Sequence, residues 1–154
     1  MNLHEEINRI KDALLSLPTD EMIAEVNRIK RELQTISPFA AEPVDCVQWV
    51  KEDLVIANDY NPNTVAPPEM ELLHTSIHED GYTQPIVVYQ HDGIYEVVDG
   101  FHRNRVGKEY PDIKERIHGY LPVTVINDER HDKADRIYKL YIFRVLKDFL
   151  LRTL

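Results

Sequence analysis

Hydrophobic positions in the first 37 residues recur every three or four residues, which is the period of an amphipathic helix. The apolar positions form one stripe before Pro18 and another after it: Leu3, Ile7, Ile10, Leu14 and Leu17, then Met22, Val26, Ile29 and Leu33. Pro18 breaks the first stripe, and Pro38 stops the second. The pattern predicts a helical hairpin over residues 1–37, followed by a linker over residues 38–46.

From residue 47 onward, the pattern changes to short β-branched and aromatic runs bounded by turn residues. The runs at 47–51 and 54–56 predict one or two strands, and further strands are predicted at 84–89, 94–98 and 121–126. Helices are predicted over residues 69–79, which end before Gly81, and from Phe101, directly after Gly100. This order predicts an α+β domain over residues 47–130.

Residues 131–154 predict a basic C-terminal helix. Five apolar positions with helical spacing are expected to face a core: Ile137, Leu140, Tyr141, Val145 and Phe149. Residues 133–154 hold six basic side chains against two acidic ones, a net charge of +4. Because the whole chain carries −9, residues 1–132 carry −13. An acidic body repels phosphate backbones, so any DNA contact is expected to be weak and to use this helix.

Size and composition narrow the class of protein. The chain has 154 residues and a mass of 18.1 kDa, which fits one main domain with appendages. It has no apolar run of ~18 residues and no secretory pattern at its start, so we expect no membrane association and a cytoplasmic location. The single cysteine, Cys46, excludes an internal disulfide and a multi-cysteine zinc site.

The segment from Val97 to Arg105 has the most chemical content. A strand that ends in glycine and continues directly into a helix leaves several backbone N–H groups unpaired, an arrangement that suits an anion. Gly100 allows close approach to the main chain, while Arg103 and Arg105 can donate hydrogen bonds to phosphate. Alternatively, Asp-Gly is an ordinary turn and the arginines cover a solvated helix face.

Two titratable residues of this segment, Asp99 and His102, are candidate catalytic groups. His102 can donate a hydrogen bond or titrate near neutral pH. Asp99 would repel phosphate if it pointed inward, so it holds the turn, orients His102 or binds a metal ion. His74 and His78 have the i, i+4 spacing of zinc ligands, but the sequence offers no third ligand, so no metal site is predicted.

Four blocks resemble the N-terminal domain of the ParB/sulfiredoxin superfamily, and together they span about residues 44–127. The blocks are Asn61-Pro62-Asn63, Ser76 to Val88, Tyr95 to Arg105, and residues 121–125. The resemblance implies a small mixed sheet with flanking helices, here preceded by the helical hairpin. The chain is most similar to the immunoglobulin-binding-regulator B type of prophage co-activator, often encoded beside a phosphoadenosine-phosphosulfate-reductase-like protein.

The resemblance also implies a ligand. In this superfamily the glycine turn binds the phosphates of a nucleotide, CTP in partition proteins and ATP or ADP in sulfiredoxins and a related serine kinase. The implied nucleotide or phosphate site, with Mg²⁺ as a possible companion, consists of Ser76, Gln84, Gly100, Phe101, His102, Arg103 and Arg105. Glu79 and Asp80 can supply a base or Mg²⁺ ligand, or are simply solvated.

Departures from the superfamily pattern restrict the activity. Sulfiredoxins have a catalytic cysteine where this chain has Phe101, so sulfinic-acid reduction is not expected. The serine-kinase pattern Asp-Gly-His-His-Arg differs only at Phe101, which leaves phosphotransfer open. Partition proteins carry Gly-Glu-Arg-Arg, so Phe101 and His102 depart from their CTP chemistry.

Three functions are consistent with the sequence. The first is a nucleotide-binding regulator, either a transcriptional co-activator or a DNA-associated protein. The second is a small-molecule kinase or NTP hydrolase, and the third is a dimeric adaptor without a ligand. The expected partners are DNA through the C-terminal helix, a reductase-like protein, and a second copy of the chain through the hairpin.

Overall fold

A computed structural model describes residues 2–57, 67–126 and 133–153. The chain divides into two compact units, Met1–Trp49 and Val50–Leu154. The first unit contains helices α1 (Leu3–Leu15) and α2 (Thr19–Gln34), a 3-10 turn at Pro43–Asp45, and the first half of strand β1 (Gln48–Lys51). The two helices pack as a hairpin at the place that the hydrophobic stripes predicted.

Local hydrogen bonds define the ends of the hairpin helices. The side chain of Asn2 accepts from the His4 N–H at 2.9 Å and caps the start of α1. The Ser16 hydroxyl donates to the Ala13 carbonyl at 2.7 Å where α1 ends. Pro18 has no N–H to continue α1, and α2 begins with the next residue.

Side chains of α2 pair with the backbone of residues 47–49 within the first unit. The Asn27 amide donates to the Trp49 carbonyl at 2.8 Å and accepts from the Trp49 N–H at 3.1 Å. Lys30 donates to the Val47 carbonyl at 3.2 Å. Asn27 therefore satisfies both backbone groups of Trp49, as a neighbouring strand would.

The second unit is a mixed α+β domain, which confirms the predicted fold class. After β1 come β2 (Val55–Ile56), α3 (Pro67–Asp80), β3 (Ile86–His91), β4 (Ile94–Asp99), α4 (Phe101–Glu109), α5 (Pro111–Arg116), β5 (Tyr120–Ile126) and α6 (Lys133–Thr153). The strand order in the sheet is β1-β5-β3-β4-β2. β3 pairs antiparallel with β4 and parallel with β5, and β2 pairs parallel with β4.

Two hydrophobic clusters hold α4 in place. The first, under the sheet, consists of Val50, Val55, Ile86, Val88, Val97, Phe101, Leu121 and Val123. The second, between the helices, consists of Met70, Ile77, Val106 and Ile113. Because α4 contributes Phe101 to the first cluster and Val106 to the second, its position relative to β4 is fixed from both sides.

A short helix and a set of exposed side chains differ from the predictions. α5 was not predicted, because its six residues are too few for a helical period to be recognised. Tyr141, Val145 and Phe149 of α6 are 63%, 46% and 61% exposed, so the expectation that they face a core is wrong. The predicted loop around Asn61-Pro62-Asn63 lies outside the described residues. Across the described ranges, no helix has both the length and the apolar character to cross a bilayer.

Gly107 allows α4 to approach the sheet closely, and its replacement by alanine gives the first test. A Cβ at this position would lie 2.6 Å from the hydroxyl oxygen of Tyr82 and would overlap the side chain of Leu121. We expect Gly107→Ala to lower the free energy of unfolding by ~1–3 kcal/mol, the usual effect of overpacking, measured by chemical denaturation. The control Leu72→Ala, at a position 71% exposed on α3, should change it by less than ~0.5 kcal/mol. Equal stability of the two variants would contradict this packing.

Candidate functional site

The turn between β4 and α4 is built by Asp99 and Gly100. Gly100 has a φ of 93°, a left-handed conformation that favours glycine. Its N–H donates to Oδ1 of Asp99 at 2.9 Å, so Asp99 holds the turn. The first helical bond runs from the Asn104 N–H to the Gly100 carbonyl at 2.9 Å. The preceding N–H groups of α4 therefore have no acceptor within the helix and can bind an anion.

The Arg103 side chain lies directly against Gly100. A Cβ at residue 100 would be 2.8 Å from Nη2 of Arg103 and 3.2 Å from its Cζ. Nη2 donates to the Pro85 carbonyl at 3.2 Å and lies 4.0 Å from Oδ2 of Asp99. The Arg103 guanidinium fits beside the turn because Gly100 has no side chain. Its hydrogen bond to the Pro85 carbonyl, just before β3, holds it there.

Three consecutive residues in the first turns of α4 carry buried polar atoms without a hydrogen-bond partner among the described residues. They are Nδ1 of His102, Nε of Arg103 and Oδ1 of Asn104. Asn104 is only 2% exposed. A buried polar group without a partner costs about 1–3 kcal/mol, and the three side chains leave α4 in directions about 100° apart, so each atom needs its own partner, such as ordered water or a ligand.

Tyr82 anchors the same helix from below, a role that the sequence analysis did not identify. Its hydroxyl donates to the Arg103 carbonyl at 2.6 Å, and its ring packs against both hydrophobic clusters. Burial raises the pKa of Tyr82 well above its usual range, so the hydroxyl stays a donor at physiological pH. Asn104 was also missed, since a polar residue within a helix gives no sign that it will be buried.

His102 lies in a positive electrostatic environment. Burial is the main factor that lowers its pKa below the ordinary value. The charges of Arg105, Arg103 and Arg144 lower the pKa further, whereas the Glu69 carboxylate raises it. His102 is therefore neutral near pH 7, and the contribution of Arg144 shows that α6 adds positive charge to this region.

Other residues predicted for the site lie apart from Arg103. Arg105 donates to both carboxylate oxygens of Glu109 at 3.1 and 3.2 Å. Positions 103 and 105 are about 200° apart around a helix, so the two guanidinium groups leave α4 on different faces. The ring of Phe101 is buried in the core, which leaves only its backbone to face a ligand.

The remaining predicted residues of α3 and of the approach to β3 lie on the surface. Ser76 is exposed on α3, and Gln84 is exposed two residues before β3 begins. Glu79 and Asp80 are exposed at the end of α3. The structure therefore brings Asp99, Gly100 and Arg103 together, while these four side chains remain solvated.

His74 and His78 connect α3 to α5. Nε2 of His74 and Nδ1 of His78 lie 2.8 and 3.0 Å from Oδ2 of Asp112. The hydrogen bond from His74 is the main factor that holds the pKa of Asp112 below its usual range. Arg116 also donates to the carbonyls of Ile77 and His78, at 2.6 and 2.8 Å. Within the described ranges, no group of three or more His, Cys, Asp or Glu side chains is arranged to hold a metal ion.

Comparison with known proteins assigns the domain that carries this turn. Residues 38–134, more than half of the chain, match the ParB N-terminal domain family. The chain belongs to this family. The predicted membership of the ParB/sulfiredoxin superfamily is thereby confirmed, while the similarity to prophage co-activators remains a prediction.

The chain is also similar to several individual proteins. The chain is 51% identical over 121 residues to the uncharacterized protein YbdM of Escherichia coli (strain K12), a match that covers 78% of this chain and 58% of YbdM. The C-terminally truncated chromosome-partitioning protein ParB from Caulobacter crescentus, complexed with CTP-gamma-S, has a TM-score of 0.50 and 24% identity, over 65% of this chain and 53% of that one. Sulfiredoxin from Arabidopsis thaliana has a TM-score of 0.42 and 16% identity, over 53% of this chain and 84% of sulfiredoxin. The chain thus spans little more than half the length of YbdM and of ParB.

The environment of His102 predicts how stability depends on pH. Its folded pKa lies below the unfolded value of about 6.5, so the unfolded state binds more protons once the pH falls below 6.5. We expect the stabilising contribution of neutral His102 to be complete above about pH 6.5 and to be lost as the pH falls through the folded pKa. Denaturant titrations at several pH values should show that the free energy of unfolding falls less at acidic pH for His102→Gln than for the wild type. The control His4→Gln, on the exposed α1, should keep the wild-type profile, and identical profiles for all three proteins would refute the role of His102.

Proposed function

We propose that this ParB-family chain binds the phosphates of a nucleotide at the first turn of α4 and acts as a nucleotide-responsive regulator. The observation that carries the proposal is the Arg103 guanidinium, which lies against Gly100 at the start of α4 and has no hydrogen-bond partner for its Nε among the described residues. Free helix N–H groups and a guanidinium beside Gly100 add the donors that phosphate oxygens require. A phosphate group is the ligand chemistry that these donors fit.

Each group at the turn has a definite chemical role in this proposal. Arg103 supplies the positive charge, and its Nε–H is a free donor. Neutral His102 supplies a donor or an acceptor according to its tautomer. Asp99 uses Oδ1 to hold the turn, and its carboxylate is 64% exposed, so Oδ2 is available to a Mg²⁺ ion that accompanies the phosphates.

We propose no particular base for the nucleotide. The ParB structure of the same fold contains CTP-gamma-S, which supports a nucleotide as the ligand class. Phe101 and His102 stand where partition proteins carry glutamate and arginine, which weighs against the same CTP chemistry. ATP, ADP and CTP are therefore the candidates.

The regulatory output is proposed to involve α6, with DNA or a reductase-like protein as the partner. Residues 133–154 carry a net charge of +4 on an otherwise acidic chain. Arg144 of this helix is among the charges that lower the pKa of His102, although its effect is the smallest of them. A change in the bound nucleotide can therefore alter how this helix meets a partner.

The role of Arg103 is tested by nucleotide titration. A thermal-shift screen of ATP, ADP, CTP and sulfonucleotides, with and without Mg²⁺, should identify a ligand that raises the melting temperature. We expect Arg103→Ala to weaken that ligand by ~1.5–3 kcal/mol in isothermal titration, the range for a charge-assisted hydrogen bond. Arg9→Ala, an exposed arginine on α1, is the matched control and should bind normally.

Two glycine variants distinguish an effect on nucleotide binding from an effect on the stability of the fold. Gly100→Ala must displace the Arg103 guanidinium, whereas Gly93→Ala has a similar φ of 78° and open space around the new Cβ. Both variants carry left-handed strain of about 1–2 kcal/mol, but only Gly100→Ala should lose nucleotide affinity. Normal binding by Gly100→Ala and Arg103→Ala would refute the site. Release of phosphate during titration would favour an NTP hydrolase or kinase over a regulator.

The DNA contact has its own test. A gel-shift titration of the full chain at about 50 mM salt should show weak binding that is lost near about 200 mM, because the contact is electrostatic. Replacing Arg144 and Lys147 by glutamate should abolish the shift, while replacing Arg9 and Lys11 on α1 should not. The absence of any shift at low salt, with and without nucleotide, would remove DNA as the partner of this chain.

A further inference from the structure

The helices of the first unit lack a hydrophobic core of their own. No residue of α1 or α2 is fully buried, and several apolar side chains are 44–80% exposed: Leu3, Ile7, Ile10, Leu33 and Ile36. A groove of about 600 Å³ lies between the two helices, which we call the hairpin groove. It is lined by Ile10, Ala13, Leu14, Leu17, Glu21, Ala24, Glu25, Arg28 and Ile29. Helices of 13 and 16 residues are marginal in water without tertiary packing, so this apolar face needs a cover.

We infer that a second copy of the chain covers the hairpin groove, so that two hairpins form an antiparallel four-helix bundle around a two-fold axis. Apolar positions along the hairpin alternate in steps of four and three residues, from Leu3 to Leu14 in α1 and from Met22 to Leu33 in α2. This is the a/d spacing of helices that pack in bundles. The inference does not depend on nucleotide binding, because the hairpin and the α4 turn belong to different units.

Charge along one edge of the groove favours a second copy as the occupant. Glu21, Glu25 and Arg28 follow each other along α2, so this edge is acidic at one end and basic at the other. When the second copy runs in the opposite direction, as a two-fold axis requires, Glu21 lies opposite Arg28 of the second copy, and the two Glu25 side chains near the axis each keep the ion pair with Arg28 of their own chain. Arg28 bonds Glu25 at 2.8 Å, whereas Glu21 has no ion pair among the described residues. Arg28 of the second copy would supply a partner for Glu21.

The dimensions of the hairpin fit a reversible dimer. The two helices are about 20 and 24 Å long and about 10 Å wide, so together they present a face of roughly 400 Å² in projection. Two such faces would together bury roughly 800 Å² in projection, and the uneven surface of their side chains adds to this area. The buried area therefore approaches the ~1,000 Å² that a specific interface needs. We therefore expect a dimer that dissociates on dilution.

Sedimentation equilibrium of the full chain tests the interface. The wild-type protein should show a concentration-dependent mass approaching twice 18.1 kDa. Ile10→Lys places a charge in the groove and should raise the dimer dissociation constant by about 100-fold or more. Leu15→Lys makes the same change on α1 at a 73% exposed position outside the groove, and should dimerise like the wild type. Circular dichroism should show that both variants keep the wild-type helix content.

A mixing experiment tests the antiparallel charge pairing. Glu21→Arg and Arg28→Glu should each be monomeric, because each homodimer would contain two like-charged contacts. Mixing them in equal amounts should restore a dimer, since each copy then meets the opposite charge. Residues 21 and 28 are about 10 Å apart along α2, so this rescue cannot arise within one chain.

Three results would overturn the inference. The first is a wild-type mass of 18.1 kDa at every soluble concentration. The second is a dimer that Ile10→Lys leaves intact, because the interface would then lie elsewhere. The third is a mixture of the two charge variants that stays monomeric, which would exclude the antiparallel arrangement. Normal nucleotide binding by a monomeric Ile10→Lys would leave the proposed function unaffected.

Discussion

The packing of the Arg103 guanidinium against the bare backbone of Gly100 is the contact on which the candidate site depends. A side chain at residue 100 would occupy the space of Nη2, so the arginine can lie beside the turn only because the glycine has no Cβ. The same glycine provides the left-handed φ that turns the chain from β4 into α4. One residue therefore sets both the direction of the helix and the position of its nearest positive charge.

Rigid packing below the turn supports this contact. α4 is held by Phe101 in one hydrophobic cluster and by Val106 in the other, and the Tyr82 hydroxyl bonds the Arg103 carbonyl. The donors at the first turn are thus fixed in place, and this would reduce the entropy lost if the proposed phosphate ligand binds there. The polar atoms that have no partner there are placed in a frame that cannot easily move to satisfy them.

Much of the fold could be predicted because its signals are local. Hydrophobic period, β-branched runs and glycine turns located the hairpin, the strands and the start of α4, and the α+β class followed from their order. The parts that were missed depend on contacts between distant residues. Tyr82 and Asn104 acquire their roles only when α4 packs against the rest of the domain, and Arg105 pairs with Glu109 on another face of the helix. Helix α6 forms where it was predicted, but the pattern alone did not reveal that Tyr141 and Val145 stay exposed, and the side chains of Ile137 and Leu140 lie outside the described residues.

The Asp112 carboxylate has a consequence for how the domain opens. α5 is too short to persist alone, yet it supplies Asp112 to two histidines of α3, and Arg116 from the same segment bonds the last carbonyls of α3. Unravelling of either the end of α3 or α5 breaks the same hydrogen bonds between the two segments. In native-state hydrogen exchange, the amides of these two segments would accordingly be released together as one cooperative subglobal unit.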